Sequence, residues 1–149
     1  MARRPPPPPA NESPDEVEAR FYEALQRADL ERLMSVWADD DEIVCVHPGG
    51  LRVVGAAAIR ASFEALLARG GLAIVPDQVR RLAWSGGALH HLVERLAVPA
   101  EGGGLREAWV IVSNVYVRTP LGWRLAAHHA TPGSPQEPAG ALDAPSTLH

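Results

Sequence analysis

His47 is the side chain of this sequence best suited to acid–base chemistry. It ends a short apolar run, residues 43–47, that follows an acidic turn at 38–42 and precedes Pro48-Gly49-Gly50. An imidazole has an ordinary pKa of about 6.5, so it can take up or release a proton near neutral pH. This order predicts that a buried strand delivers His47 to a pocket; a histidine that only hydrogen-bonds a carbonyl is the alternative.

Two adjacent histidines, His128 and His129, stand in the last predicted strand, residues 122–130. Successive residues of a strand point to opposite faces of the sheet, so only one of them can enter a pocket. Six histidines in all raise the question of a metal. Their spacing lacks the i, i+4 helical or short-loop pattern of dedicated zinc sites, so we expect no metal ligands. No glycine-rich phosphate loop is present either, and we expect no cofactor.

Glu94 and Asn114 are the other polar candidates for a pocket, each within a predicted strand. A surface charge pair with Arg95 is the alternative for Glu94, and a purely structural hydrogen bond is the alternative for Asn114. Together with a histidine they would form the polar base of a mostly apolar small-molecule site. The predicted walls of that site are Phe21, Trp37 and Phe63, although the tryptophan is also a natural core residue.

Composition restricts the function further. The chain has 149 residues, 46% of them hydrophobic, and a net charge of -4, which provides no field to attract nucleic acid or anionic lipid. All 14 basic residues are arginines, so a Schiff-base mechanism is excluded. The single Cys45 cannot form an intrachain disulfide, and the proline-rich beginning lacks the apolar core of a signal peptide. We expect a cytoplasmic protein that binds neither nucleic acid nor membrane.

The elements that position these residues are predicted in two groups. Residues 1–12 and 131–149 are rich in proline and are expected to be disordered tails, which leaves 13–130 as the folded domain. Ser13-Pro14, with glutamate three residues after the serine, predicts the start of a first helix. A second helix is expected from Asp29, and a third from about 56 to 69.

Strand patterns take over after Gly71. The expected strands are 72–75, 78–84, 88–98, 106–118 and 122–130, separated by glycine-containing turns. Helices followed by a meander of strands predict an α+β fold with the helices on one face of the sheet. The continuous apolar run at 109–112 predicts that a second subunit covers the other face.

Several short segments resemble a known family when they are taken in order and spacing. These segments are Arg20-Phe21-Tyr22-Glu23-Ala24-Leu25, Asp29-Leu30, Trp37-Ala38-Asp39-Asp40, His47-Pro48, Gly55-Ala56-Ala57-Ala58-Ile59-Arg60 and Trp123-Arg124-Leu125-Ala126-Ala127-His128-His129. The chain resembles the nuclear transport factor 2-like (NTF2-like) superfamily, especially its SnoaL-like branch, which is related to ketosteroid isomerases and to the calmodulin-dependent kinase II association domain. The resemblance implies a cone-shaped α+β barrel, with three N-terminal helices packed on a curved, mostly antiparallel sheet. It also implies an open pocket and a homodimer formed through the outer face of the sheet.

The resemblance also suggests roles for individual residues. In ketosteroid isomerases an aspartate serves as general base at the position that His47 matches, and a tyrosine on the first helix stabilises the oxyanion. Phe21 occupies the tyrosine position and cannot donate a hydrogen bond, while Tyr22 is rotated by about 100° around the helix. Steroid isomerisation is therefore not expected. Similarity to the kinase association domain favours His129, six residues after Trp123, as the pocket histidine.

The sequence thus predicts a SnoaL-like protein whose pocket binds a small, largely apolar molecule. His47 and His129 are the candidate acid–base groups of a cofactor-free isomerase, cyclase or hydratase. The alternative is a non-catalytic dimerisation or scaffold module, as in the transport-factor and kinase-association branches. Whether the protein is an enzyme stays open at this level.

Overall fold

Three helices and two short strands form the first half of the molecule. The computed structural model describes residues 12–134, and its helices are α1 (Pro14–Arg27), α2 (Leu30–Ser35) and α3 (Ala56–Leu66). The short strands β1 (Val44–Val46) and β2 (Arg52–Val54) lie between α2 and α3. The long strands are β3 (Ile74–Trp84), β4 (Gly87–Pro99), β5 (Leu105–Thr119) and β6 (Gly122–Pro132). None of the described helices is long and apolar enough to cross a membrane.

The helix boundaries follow the predicted capping residues. The Ser13 hydroxyl accepts a hydrogen bond from the backbone N–H of Glu16 at 3.2 Å, and the Glu16 carboxylate accepts one from the Ser13 N–H at 3.3 Å. This reciprocal pair is the capping box that the sequence predicts. Ala28 ends α1 in the left-handed conformation, with φ at 53°, and the Asp29 carboxylate then accepts the first bond of α2.

The six strands form one sheet in the order β2-β1-β6-β5-β4-β3. Neighbouring strands are antiparallel except for β1 and β6, which are parallel. The two short strands expected at 72–75 and 78–84 are a single strand, β3, with an irregularity between Asp77 and Arg80. Strand β2 was not predicted, because three residues are too few to show an alternating pattern.

The helices pack on one face of this sheet, so the predicted α+β class with three helices on a mostly antiparallel sheet is confirmed. The core lies between them, with Phe21, Leu33 and Ile59 completely buried against the sheet. The opposite face of the described sheet carries half-buried Trp109, Ile111 and Val115. That face is the one for which the sequence predicts a second subunit.

The predicted tails lie for the most part outside the described residues. At the inner edge of each tail the structure differs slightly from the expected boundary. Glu12 is only 1% exposed and pairs with Arg20 of α1, and β6 continues to Pro132. The described residues therefore continue past both ends of the predicted 13–130 domain, by one residue at the start and by four at the end, and the tails themselves stay a prediction.

Strand β6 contains a bulge that changes which residues face the core. Val115 pairs with Ala127 and Tyr116 pairs with Leu125, so Ala126 has no partner on β5. One extra residue inverts the alternation of the strand from that point onward. Leu125 and His128 consequently both face inward although they are three positions apart, an odd spacing that would place them on opposite faces of a regular strand.

Gly71 lies where the chain leaving α3 passes the end of α1. A Cβ atom at this position would lie 1.9 Å from the backbone oxygen of Gln26, and the next residue, Leu72, donates to the Leu25 carbonyl at 3.0 Å. We therefore expect Gly71→Ala to lower the free energy of unfolding by about 1–3 kcal/mol, the usual cost of forcing extra volume into a packed site. Urea denaturation would measure it. Exposed Ala73→Ser is the control, and an equal stability change in both variants would contradict the close approach.

Candidate functional site

A cluster of polar side chains is buried between α1 and the inner face of the sheet. Each member is 5% exposed or less, and the members come from α1, β4, β5 and β6. We call this set the interior cluster: Glu18, Tyr22, His90, Glu94, Asn114, Tyr116 and His128. Spacings of four residues on α1, four on β4 and two on β5 place these side chains on the faces that meet in the core.

The Glu18 carboxylate is one centre of the interior cluster. Its Oε2 atom accepts hydrogen bonds from the Tyr116 hydroxyl at 2.6 Å, from Asn114 Nδ2 at 3.4 Å and from His90 Nδ1 at 2.9 Å. The other ring nitrogen of His90 lies 3.7 Å from the Asp15 carboxylate at the protein surface. Three donors thus converge on one buried oxygen, which fixes the carboxylate in place.

The second centre is Glu94, whose Oε2 accepts a hydrogen bond from the Tyr22 hydroxyl at 2.7 Å. Burial raises the pKa of Glu94 to about 7; the Tyr22 hydrogen bond lowers it, and the Glu18 charge raises it. The same burial, together with Glu94, raises the pKa of Tyr22 well above its usual value, so this phenol keeps its proton. Glu94 is therefore a carboxyl group that exists in both protonation states near neutral pH.

Asn114 connects the two carboxyl groups to His128. Its Nδ2 group lies within 3.4 Å of both Glu18 and the Tyr22 hydroxyl, so its Oδ1 atom accepts from His128 Nδ1 at 2.6 Å. His128 then carries its proton on Nδ1 and a lone pair on Nε2. Burial, followed by the charges of His47 and His129, lowers the pKa of His128 to about 3, so the ring is neutral at physiological pH.

His47 lies apart from the interior cluster, at the end of a row of aromatic rings. Its Nε2 atom is 2.9 Å from the Ser62 hydroxyl, which itself donates to the Ile59 carbonyl at 2.7 Å. His47 Nε2 therefore donates the proton and Nδ1 carries the lone pair. The ring is half-buried, and burial lowers its pKa.

The aromatic row joins His47 to the cluster. Ring centroids are 4.8 Å apart from His47 to Phe63, 6.0 Å from Phe63 to Phe21 and 5.2 Å from Phe21 to His128. The structure therefore places the predicted residues Phe21, Glu94 and Asn114 together, with Phe63 and His47 progressively further along the row. None of the three surface grooves described below is lined by His47, Phe63 or Phe21, so the open pocket predicted from the sequence stays a prediction.

The expectation that His129 faces the pocket is wrong: His129 is exposed on the outer face, and His128 is buried. The bulge at Ala126 is the reason, because counting six residues from Trp123 ignores the inserted residue. Trp37 also lies apart from the cluster. It is 5% exposed, forms a backbone bridge with Leu125 and borders surface grooves near α2.

Sequence reasoning missed Glu18, Tyr22, His90, Tyr116 and His128 as site residues. A signal was available for most of them. Glu18 and Tyr22 are four residues apart on α1, and His90 shares a strand face with Glu94 as Tyr116 does with Asn114. The rotation of Tyr22 away from the Phe21 position directs its hydroxyl to Glu94, so the interior contains a tyrosine donor after all.

The cluster offers acid–base and hydrogen-bonding groups. Within residues 12–134, no group of three or more His, Cys, Asp and Glu side chains is arranged to hold a metal ion. Burial, with a smaller effect of Glu94, raises the pKa of Cys45 to about 12, so this thiol is not a nucleophile at neutral pH. Three surface grooves of about 1160, 370 and 350 Å³ are lined by other residues than the cluster.

Comparison with known proteins agrees with the fold. The SnoaL-like domain profile matches residues 15–134, and the chain therefore belongs to the SnoaL-like domain family. Its structural neighbours are NTF2-like, ketosteroid isomerase-like and kinase association domain folds, which confirms the resemblance seen in the sequence. Comparison with curated protein sequences gave no match.

Two solved structures are similar at 29% sequence identity. One is a proposed calcium/calmodulin-dependent protein kinase type II association domain from Thiobacillus denitrificans, with a TM-score of 0.74; the match covers 85% of this chain and 100% of that one. The other is a proposed dehydratase of the NTF2-like family from Streptomyces avermitilis, with a TM-score of 0.70 and coverage of 78% and 91%. A ketosteroid isomerase-like protein from Erwinia carotovora atroseptica is 16% identical, with a TM-score of 0.64 and coverage of 81% and 94%, and shows the fold alone.

The raised pKa of Glu94 predicts how stability depends on pH. The pKa of Glu94 is 4.5 in the unfolded chain and about 7 in the folded protein, so the folded protein holds this proton more tightly. The free energy of unfolding therefore falls as the pH rises from 4.5 to about 7, because the unfolded chain loses its proton first. Glu94→Gln keeps an acceptor for Tyr22 but cannot ionise. We expect its free energy of unfolding, relative to that of the wild type, to increase by roughly 3 kcal/mol from pH 4 to pH 8.5. Denaturant titrations at each pH would measure this difference.

The matched control is Glu107→Gln, which removes an exposed strand carboxylate that pairs with Arg95. Its pH profile should run parallel to that of the wild type in the range where Glu94→Gln diverges. A stability difference for Glu94→Gln that does not change with pH would mean that Glu94 ionises normally.

Proposed function

We propose that the interior cluster is an acid–base site that acts on a small, largely apolar molecule without a cofactor. The observation that carries this proposal is the buried Glu94–Tyr22 pair, in which a carboxyl group with a pKa of about 7 stands beside a phenol that keeps its proton. A group with a pKa near the working pH can both accept and return a proton during one reaction.

The energetic cost of the cluster favours a chemical role over a structural one. Each buried carboxyl or imidazole group loses its hydration, and apolar side chains of similar volume would usually fill such a core at least as stably. The seven members lie within a core whose other side chains are almost all aliphatic or aromatic. Strongly perturbed pKa values that come from burial and a charged neighbour are typical of functional sites.

The members divide into complementary roles in this proposal. Glu94 moves the proton, and His128 Nε2 accepts a hydrogen bond from a hydroxyl group of the ligand. Tyr22 and Tyr116 turn their single O–H groups from Glu94 and Glu18 to an oxygen of the ligand that gains negative charge. Burial raises the pKa of Tyr116 as it does that of Tyr22, so both phenols stay protonated. Proton abstraction next to a carbonyl, cyclisation and loss or addition of water can each use a proton-transferring group and hydrogen-bond donors of these kinds.

The aromatic row determines where a ligand would enter. Because the rings of Phe21 and Phe63 pack between His47 and His128, a ligand would displace them from the half-buried His47 end. His47 Nδ1 would then be a second basic group at the entrance, which is the role the sequence suggested for this residue. The similarity to the proposed dehydratase from Streptomyces avermitilis, at 29% identity, supports the same reaction class.

Exchange of carbon-bound hydrogen tests the proposal directly. A panel of small apolar ketones and hydroxyketones would be incubated with the protein in D₂O, and proton NMR would follow the loss of the C–H signal next to the carbonyl. We expect exchange of at least one compound to exceed the buffer rate. Glu94→Gln should reduce that acceleration by about 10²–10⁴-fold, the usual contribution of a general acid–base group.

Two further variants test whether the exchange depends on the groups assigned to the site. Glu107→Gln removes an exposed carboxylate and should leave the exchange rate unchanged, whereas His47→Ala should slow exchange while the protein stays folded. Retention of the full rate in Glu94→Gln would refute the assigned role. Absence of exchange across the panel, with no ligand-induced change in the methyl spectra of Leu92 and Val112 beside the cluster, would refute the interior site.

A non-catalytic association module is the second candidate, and the outer face of the sheet favours it. Half-buried Trp109, Ile111 and Val115 form an apolar surface there, bordered by Leu82 and Trp84, which are 63% and 53% exposed. Ser113, paired with exposed His91 and His129, interrupts this surface, and exposed apolar side chains grouped on one face are typical of an interface. The similarity to the proposed association domain from Thiobacillus denitrificans supports a homodimer formed through this face.

Sedimentation velocity tests the association. We expect a homodimer at micromolar concentration, and Ile111→Lys should weaken it at least tenfold, because an ammonium group would be buried at the centre of the face. Leu51→Lys, at a residue that is 90% exposed in the β1–β2 loop, is the matched control and should leave the dimer intact. A wild-type monomer at these concentrations would argue against the association module.

A further inference from the structure

A second group of charged side chains, two of them buried and one half-buried, lies beside α1 and outside the interior cluster. Arg20 forms an ion pair with Glu12, and the two interact electrostatically with Arg124 of β6. Arg124 is only 6% exposed, and its Nη1 atom donates to the carbonyl of Trp123 at 2.9 Å. Three charged side chains are thus gathered where the chain enters α1.

The charges in this group do not balance. Two guanidinium groups share one carboxylate, and within residues 12–134 no carboxylate forms an ion pair with Arg124. Burial lowers the pKa of Arg124, the Glu12 charge raises it, and the Arg20 charge lowers it again. A buried cation that shares a single carboxylate with a second cation is costly, and an added anion would relieve the cost.

Arg124 borders the groove of about 1160 Å³ that runs between α2 and the β5–β6 hairpin. Trp37 borders the same groove, and its indole N–H has no acceptor among the described residues. Apolar side chains provide much of the remaining lining, including Met34, Val117 and Leu121. A cation, an unpartnered donor and an apolar wall are the parts from which a site for an organic anion is made.

Acidic residues restrict where an anion can lie in this groove. Glu31, Asp39 and Asp40 line the wall that α2 and the following loop form. Glu31 pairs with Arg60, and the Asp40 carboxylate accepts from the backbone N–H of Glu42 at 2.8 Å. Arg118 and Arg124 belong to the opposite wall, so the positive side of the groove is the β5–β6 hairpin.

We propose that this groove binds a small organic carboxylate, with the carboxylate at Arg124 and the apolar body along Trp37, Met34 and Leu121. The groove is separate from the interior cluster, so the proposal does not depend on the acid–base function. The guanidinium group suits a carboxylate because its donors match the two carboxylate oxygens.

Indole resonances of the 149-residue chain test this site. Sodium phenylacetate would be titrated into ¹⁵N-labelled protein at constant ionic strength, with neutral phenylacetamide as the matched probe. The chain has four tryptophans, and Trp37→Phe identifies the Trp37 indole signal. We expect this signal to shift saturably with phenylacetate and at least tenfold more weakly with the amide.

Two pairs of variants separate binding from folding. Arg124→Gln should weaken phenylacetate binding at least tenfold without affecting phenylacetamide, while exposed Arg106→Gln should change neither. If Arg124→Gln does not fold, Leu121→Glu and Leu121→Gln replace it, because Leu121 is 63% exposed and tolerates polar groups. Leu121→Glu should weaken phenylacetate binding because it adds a negative charge to the groove, and Leu121→Gln should not.

Three outcomes would overturn the proposal. The first is a Trp37 signal that does not move, or that moves linearly without saturation. The second is an equal response to phenylacetate and phenylacetamide, which would mean that the groove recognises only the apolar body. The third is unchanged binding in Arg124→Gln, or in Leu121→Glu where that variant replaces it.

Discussion

The hydrogen bonds that converge on the Glu18 carboxylate are the constraint on which the rest of the interior depends. One oxygen of this helix residue accepts from a strand β4 imidazole and from a β5 phenol and amide, so it fixes the rotation of α1 over the sheet. That rotation determines that Tyr22 reaches Glu94 and that Phe21 packs against His128. A helix held only by apolar contacts could turn or slide by a fraction of a residue, whereas a helix held by directional bonds to a buried charge cannot.

Much of the fold could be predicted from the sequence because the signals for individual helices and strands agree with the order of elements in the family. The capping residues of α1, the apolar stripe on its inner side and the glycine-bounded strands each indicate the same arrangement as the family resemblance. The set of side chains that meet in the interior was harder to predict. Alternation along β4 and β5 places His90 on the same strand face as Glu94 and Asn114 on the same face as Tyr116, yet no local rule says which face of a strand will meet which face of a helix. Trp37 shows the same limit, since its place beside an outer groove depends on a backbone bridge to a distant strand.

The interior and the surface groove present opposite electrostatic situations. In the core, the buried carboxyl groups accept hydrogen bonds from neighbouring side chains, and Glu94 can also keep its proton because its pKa is raised. Near Arg124 the excess is positive, and a guanidinium group cannot give up its proton at any physiological pH. The first arrangement can change its own protonation state, whereas the second can be neutralised only from outside. This difference is why one region suits proton transfer and the other suits recognition of an anion.

The unpaired Ala126 separates the spacing of residues along the last strand from the faces on which they lie. Loss of that single codon would make the pairing with β5 regular and would leave Leu125 and His128 facing the core, because Ala127 would still pair with Val115 and His128 with Asn114. A strand that kept Ala126 but lost the bulge would instead exchange the faces of every residue after Leu125, so that His129 would enter the core and His128 would face outward. Relatives with the same histidine pair can therefore differ in both their internal site and their external contacts, according to whether an inserted residue is accommodated by a bulge.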